Sequence, residues 1–82
     1  MRHVVYCNLI SVEGTKLTYA LGGEVTDMTG ELVVDYKEGT YEVTRKPMRS
    51  LAQNRHIETM LRKHHAEFQK GIFPEKMSHE FY

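Results

Sequence analysis

Glycines stand at Gly14, Gly22–Gly23, Gly30 and Gly39, eight or nine residues apart, and most of the segments between them alternate in polarity. This is hairpin spacing, in which each short strand ends at a turn that reverses the chain. The segments Lys16–Leu21, Glu24–Met28, Glu31–Tyr36 and Thr40–Thr44 each have the length of a short strand. Leu17, Tyr19 and Leu21 share one side of their strand, as do Leu32, Val34 and Tyr36, and then Tyr41 and Val43. Thr18, Glu31, Asp35, Thr40, Glu42 and Thr44 face the other way, so the sheet has one apolar and one polar face. Ahead of them, residues 3–12 are rich in β-branched and aromatic side chains and read as a strand apolar on both faces. Val5, Cys7 and Leu9 lie on one face, and Val4, Tyr6, Ile10 and Val12 on the other.

A sheet with one apolar face needs a cover. Residues 45–70 supply the candidate, because Leu51, Ile57, Met60, Leu61, His64 and Phe68 recur at helical spacing. Ser50 and Gln53 have the capping-box spacing, which makes Ser50 the expected N-cap, and Gly71 suits the helix end. Lys46-Pro47 closes the last strand. Past Gly71, Phe73, Met77 and Phe81 recur every four residues behind Pro74, the pattern of a short second helix. The expected fold is α+β: an antiparallel β-meander of four or five strands packed on one long C-terminal helix. Its 82 residues allow one small domain, with the sheet over 3–45, the helix over 50–70 and a C-terminal segment over 71–82.

Basic and acidic side chains balance at 11 each, but they are not evenly distributed. Residues 1–44 carry three basic and seven acidic groups, whereas residues 45–70 carry seven and two. Arg45, Lys46, Arg49 and Arg55 cluster at the strand-to-helix junction, where unpaired backbone N–H groups and the helix dipole already favour a phosphate. These four are the candidate nucleic-acid-binding residues. Tyr36 and Tyr41 could add a stacking surface for an unpaired base, although the alternation turns both toward the core.

Residues 40–61, TYEVTRKPMRSLAQNRHIETML, resemble the segment of NinB-type phage recombination proteins in which a basic strand leads into Arg-Ser-Leu-x-Gln-Asn and a helix. Arg49, Ser50, Leu51, Gln53, Asn54 and Arg55 match that pattern in place. The resemblance covers about a quarter of the chain. It implies a phage or mobile-element origin and binding of single-stranded DNA in recombination.

Other chemistry is poorly supported by spacing. His56 and His64 would lie roughly 12 Å apart on one helix, and His3 and Cys7 about 13 Å apart on one strand, too far to share one ion. No metal or cofactor is expected. No nucleophile, base and acid are assembled by a local motif, and no glycine loop opens a helix to cradle phosphate, so an enzyme is not expected. A lone Cys7, no signal-peptide pattern and no apolar run of about 18 residues point to a cytoplasmic protein free of membrane.

Two functions follow as expectations. The first is a small non-enzymatic accessory protein that binds single-stranded nucleic acid. The second is a protein-binding module, such as a phage inhibitor of a host enzyme or defence complex, with Glu24, Asp27, Glu31, Asp35, Glu38 and Glu42 imitating phosphates. The row Val4, Tyr6, Ile10 and Val12, left open by a single covering helix, leads to the expectation of a homodimer through the first strand.

Overall fold

In a computed structural model, residues 2–24 and 26–82 are described. The chain runs β1 (His3–Glu13), β2 (Lys16–Gly22), β3 (Gly30–Asp35), β4 (Thr40–Arg45), α1 (Asn54–Lys63), α2 (His65–Gln69) and β5 (Lys76–Phe81). The five strands form one antiparallel sheet in the order β4-β3-β2-β1-β5. Gly14 and Gly39 take positive φ at the tips of the first and third hairpins, where a side chain would be strained.

The expected fold is corrected on three points. First, no long C-terminal helix exists: the helical region is two short pieces, and the chain is mostly sheet. Ser50 does not cap it. Its Oγ accepts the N–H of Ala52 at 3.1 Å, which stabilises a local turn, and residues 46–53 cross one end of the sheet before α1 begins. Gln53 is the N-cap; its carbonyl accepts the His56 N–H at 2.9 Å, and its own N–H donates to His56 Nδ1 at 2.9 Å. The helix then breaks at His64, whose Nδ1 lies 2.8 Å from Glu67 Oε1 across the break. Gly71, at φ 75°, ends α2 in a Schellman arrangement, with Ile72 N–H on the Glu67 carbonyl and Gly71 N–H on that of Phe68.

Second, residues 76–81 form a strand and not a second helix. Met77, His79 and Phe81 alternate with Lys76, Ser78 and Glu80, a period of two hidden within the four-residue recurrence of Phe73, Met77 and Phe81. Pairing along β1 from His3↔Phe81 to Asn8↔Lys76 satisfies the backbone groups that the two strands turn to each other, and it makes β1 an interior strand. Third, the described residues of Glu24–Met28 form no strand. Val25 lies outside the described residues, and Glu24 and Asp27 form only an isolated bridge.

The core lies on one face of the sheet. Val5, Cys7, Leu17, Tyr19, Leu32 and Met60 are wholly buried there, with Ile57 and Phe68 from the helices nearly so. The Tyr19 hydroxyl donates to the Pro74 carbonyl at 2.9 Å, tying the approach to β5 onto the core. A bulge between Leu9 and Ser11 changes the β1 pattern: Val12 pairs with Leu17 and turns to that residue's side of the sheet, still 45% exposed near the strand end, while Ile10 stands 61% exposed. Val4, Tyr6, Ile10 and Val12 are therefore not one continuous row, and the dimer surface drawn from them is interrupted.

Candidate functional site

Of the four basic residues singled out in the sequence, no two line the same cleft among the four clefts of the described residues. Arg45 is committed to its own sheet: Nε donates to the Thr29 carbonyl at 2.7 Å, and Nη2 lies 3.9 Å from Glu31 Oε2. Lys46 borders a cleft with Pro47 and Asn54 at the start of α1. Arg55 is exposed on α1, away from that cleft's lining. Arg49 lines a cleft with Arg2 and Tyr6. Tyr36 and Tyr41 offer no stacking platform beside these cations, because Tyr36 tilts against Phe73 at 4.8 Å and the Tyr41 hydroxyl donates to Glu58 Oε1 at 2.8 Å.

The surface that holds this cleft is on the open face of the sheet, around Tyr6. The ring of Tyr6 is half-buried and borders two clefts. One, of about 470 Å³, is lined by Arg2, Val4, Glu24, Arg49 and Leu51. The other, of about 290 Å³, is lined by Asn8, Met28, Lys76 and Ser78. The register explains the room beside the ring, since Tyr6 pairs with Gly22 on β2 and with Ser78 on β5, and neither carries a bulky side chain. Gly22 is also required there: a Cβ would meet the Asp27 carbonyl oxygen at 1.9 Å, so the Asp27–Met28 turn can lie against the sheet and form the cleft wall.

Local chemistry fixes Arg49 at this place. Asp27 is buried and accepts the Arg49 N–H on Oδ2 at 2.8 Å, while Gly23 leaves space for the Arg49 carbonyl and Ser50. The surface is mixed in charge: Arg2 sits 3.5 Å from Glu80, Glu24 borders the same cleft, and Arg49 and Lys76 make no ion pair within 4.0 Å among the described residues. Sequence reasoning missed Arg2, Tyr6 and Lys76. The one signal for them was the second apolar face of β1, which marked Tyr6 as facing away from the core.

The histidines gather elsewhere. His56 stacks on Phe81 at 3.7 Å between ring centroids, with His3 at 5.5 Å and His79 at 6.4 Å from the same ring. Nevertheless, no three metal-binding side chains converge on one point among the described residues. Cys7 is buried in the sheet, where desolvation pushes its thiol up to about 12, so it carries almost no thiolate near neutrality. No helix of the described residues is long and apolar enough to cross a membrane. The chain matches no protein-family model, no curated protein and no solved structure.

Proposed function

We propose that this protein binds single-stranded nucleic acid across the open face of its sheet, as a non-enzymatic accessory protein. The observation that carries the proposal is the position of Tyr6, whose ring separates two clefts that hold Arg2 and Arg49 on one side and Lys76 on the other. A single strand presents the matching sequence of groups: a base to stack on the ring, flanked by phosphates for the cations. The resemblance of residues 40–61 to NinB-type proteins supports the same class of ligand and the same phage or mobile-element origin. It contributes Arg49 to the site, while Arg45, Lys46 and Arg55 do not line the two clefts beside Tyr6.

The test is fluorescence anisotropy with labelled oligothymidylate at increasing salt. Binding should weaken by about 0.7 log unit per phosphate contact for each tenfold rise in salt, and Arg49→Gln should reduce that slope by about one contact. Tyr6→Leu should lower affinity roughly five- to a hundredfold through loss of stacking. Absence of binding at low salt, or equal binding by Tyr6→Leu, would overturn the proposal.

The protein-binding reading by phosphate mimicry is weaker, because three of its six acids serve the fold. Asp27 holds the Arg49 N–H, Asp35 accepts the N–H groups of Lys37 and Glu38, and Glu31 accepts the Thr44 hydroxyl. A host protein retained from lysate after nuclease treatment would favour it over the nucleic-acid reading.

A further inference from the structure

A separate cleft opens on the covered side of the sheet, between the β3–β4 hairpin and the helices. Helix α1 leans toward β5, which leaves the hairpin end of the apolar face partly open. The resulting cleft is about 340 Å³, with Val34, Leu61 and Phe68 in its lining, a size and character typical of small-molecule sites.

The polar groups around it are not equally available. Asp35 is used by its own turn: Oδ1 accepts Lys37 N–H at 3.1 Å and Glu38 N–H at 3.0 Å, and Oδ2 accepts the Thr15 hydroxyl at 3.2 Å. Glu58 accepts the Tyr41 hydroxyl at 2.8 Å. Glu58 and Arg62 stand four residues apart on α1, in the order that ordinarily favours an ion pair across one turn. That pair is not formed; the ion pairs within 4.0 Å among the described residues are Arg2–Glu80, Arg45–Glu31 and His64–Glu67. Tyr41 holds Glu58 on the hairpin side instead. Burial and the neighbouring Glu58 push the Tyr41 hydroxyl up to about 12, so it keeps its proton, and this bond, throughout the neutral range. Arg62 lines the cleft with no ion pair within 4.0 Å among the described residues, its planar set of donors free of the two lining carboxylates, Asp35 and Glu58, that are held by other partners, and His65 lines the same cleft.

We propose that this cleft binds a small apolar carboxylate, its hydrocarbon or aryl body on Val34, Leu61 and Phe68 and its carboxylate on the Arg62 guanidinium. The site is distinct from the Tyr6 surface and stands or falls without it. Tyr41 acts as a positioning residue: it does not bind the carboxylate, but it removes Glu58 as a competitor for Arg62.

The experiment is an NMR titration of the ¹⁵N-labelled protein with 3-phenylpropionate, with the neutral 3-phenylpropionamide as control. Saturable shifts are expected in the amides of residues 34–41 and 58–68, with the amide ligand bound at least about tenfold more weakly, since a charge-assisted pair is lost. Arg62→Gln, at an exposed position, should weaken binding by about the same factor. Tyr41→Phe should also weaken it, by releasing Glu58 toward Arg62, and the double variant with Glu58→Gln should recover the loss. Absence of saturable shifts, equal affinity for the amide, or unchanged binding by Arg62→Gln in a protein whose spectrum remains dispersed overturns the carboxylate site. Undiminished binding by Tyr41→Phe overturns the role of Tyr41.

Discussion

Asp27 Oδ2 accepts the backbone N–H of Arg49 at 2.8 Å, joining the β2–β3 connection to the segment that leads from β4 into α1. Its other oxygen accepts the Thr29 hydroxyl at 2.8 Å, and that hydroxyl accepts the Met48 N–H at 3.0 Å. One buried carboxylate therefore fixes two irregular segments and, with them, the backbone of Arg49. Asp27→Ala would leave the Arg49 N–H without its partner, at a cost of about 1–3 kcal/mol. Urea unfolding should show that loss, and Asp27→Asn, which keeps an acceptor oxygen, should restore part of it. Wild-type stability in Asp27→Ala would show that the two segments are held by packing alone.

Strands β1 to β4 were legible because one rule, alternation between turns, governs them locally, whereas β5 and the segment Glu24–Met28 were misread. The helix was not legible either, because its start depends on a distant contact. Leu51 fits the helical stripe of Ile57, Leu61 and Phe68, but the bond from Asp27 and the crossing over the sheet end keep residues 46–53 irregular, and Leu51 is 68% exposed. Leu51→Lys should change stability by no more than about 0.5 kcal/mol. Met60→Ala, at a wholly buried position, should cost about 2–5 kcal/mol. Thermal denaturation of the two variants checks both values, and a large loss in Leu51→Lys would place that residue in the core.

The candidate site was legible only in part for a related reason. Arg49 lies in a basic stretch that can be recognised by composition, whereas Arg2, Tyr6 and Lys76 meet it through the pairing of β1 with β5. In residues 76–81 the period-two alternation competes with the four-residue recurrence of Phe73, Met77 and Phe81, so local pattern alone does not settle strand against helix. The free edge of β1 decides the matter, since pairing there satisfies backbone groups that a helix would leave open.

The histidines around Phe81 should make stability fall on mild acidification. His56 Nδ1 accepts the Gln53 N–H, and His79 Nδ1 lies 2.9 Å from Lys63 Nζ, so each neutral imidazole can serve as an acceptor. Desolvation, then Arg55 and His3, lower the pKa of His56. Desolvation, then Lys63 and His56, lower that of His79 against the opposing effect of Glu80. A histidine whose folded pKa is depressed binds its proton more readily in the unfolded chain. Its contribution is therefore complete above the unfolded value of about 6.5 and is lost as pH falls through the window below it. The urea midpoint should drop between about pH 7.5 and pH 5, and the drop should shrink in His79→Gln. A flat profile would mean that the cluster remains solvated well enough to accept protons.

Cys7 offers a probe of how the sheet opens. It lies at the middle of β1, opposite Leu21 on one side and Met77 on the other, with no exposed surface. Burial pushes its thiol up to about 12, so a thiol reagent can react only after the chain opens and the group returns to its ordinary range. Labelling at about pH 8 should be at least roughly a thousandfold slower in the folded protein than in urea, given the stability usual for a domain of this kind. The two neighbours separate two routes of opening. If β5 detaches first, Met77→Ala should accelerate labelling by more than its effect on global stability accounts for. If the sheet opens as one unit, labelling and global stability should change together. Rapid labelling of the wild type without denaturant would show that β5 does not protect the strand it pairs with.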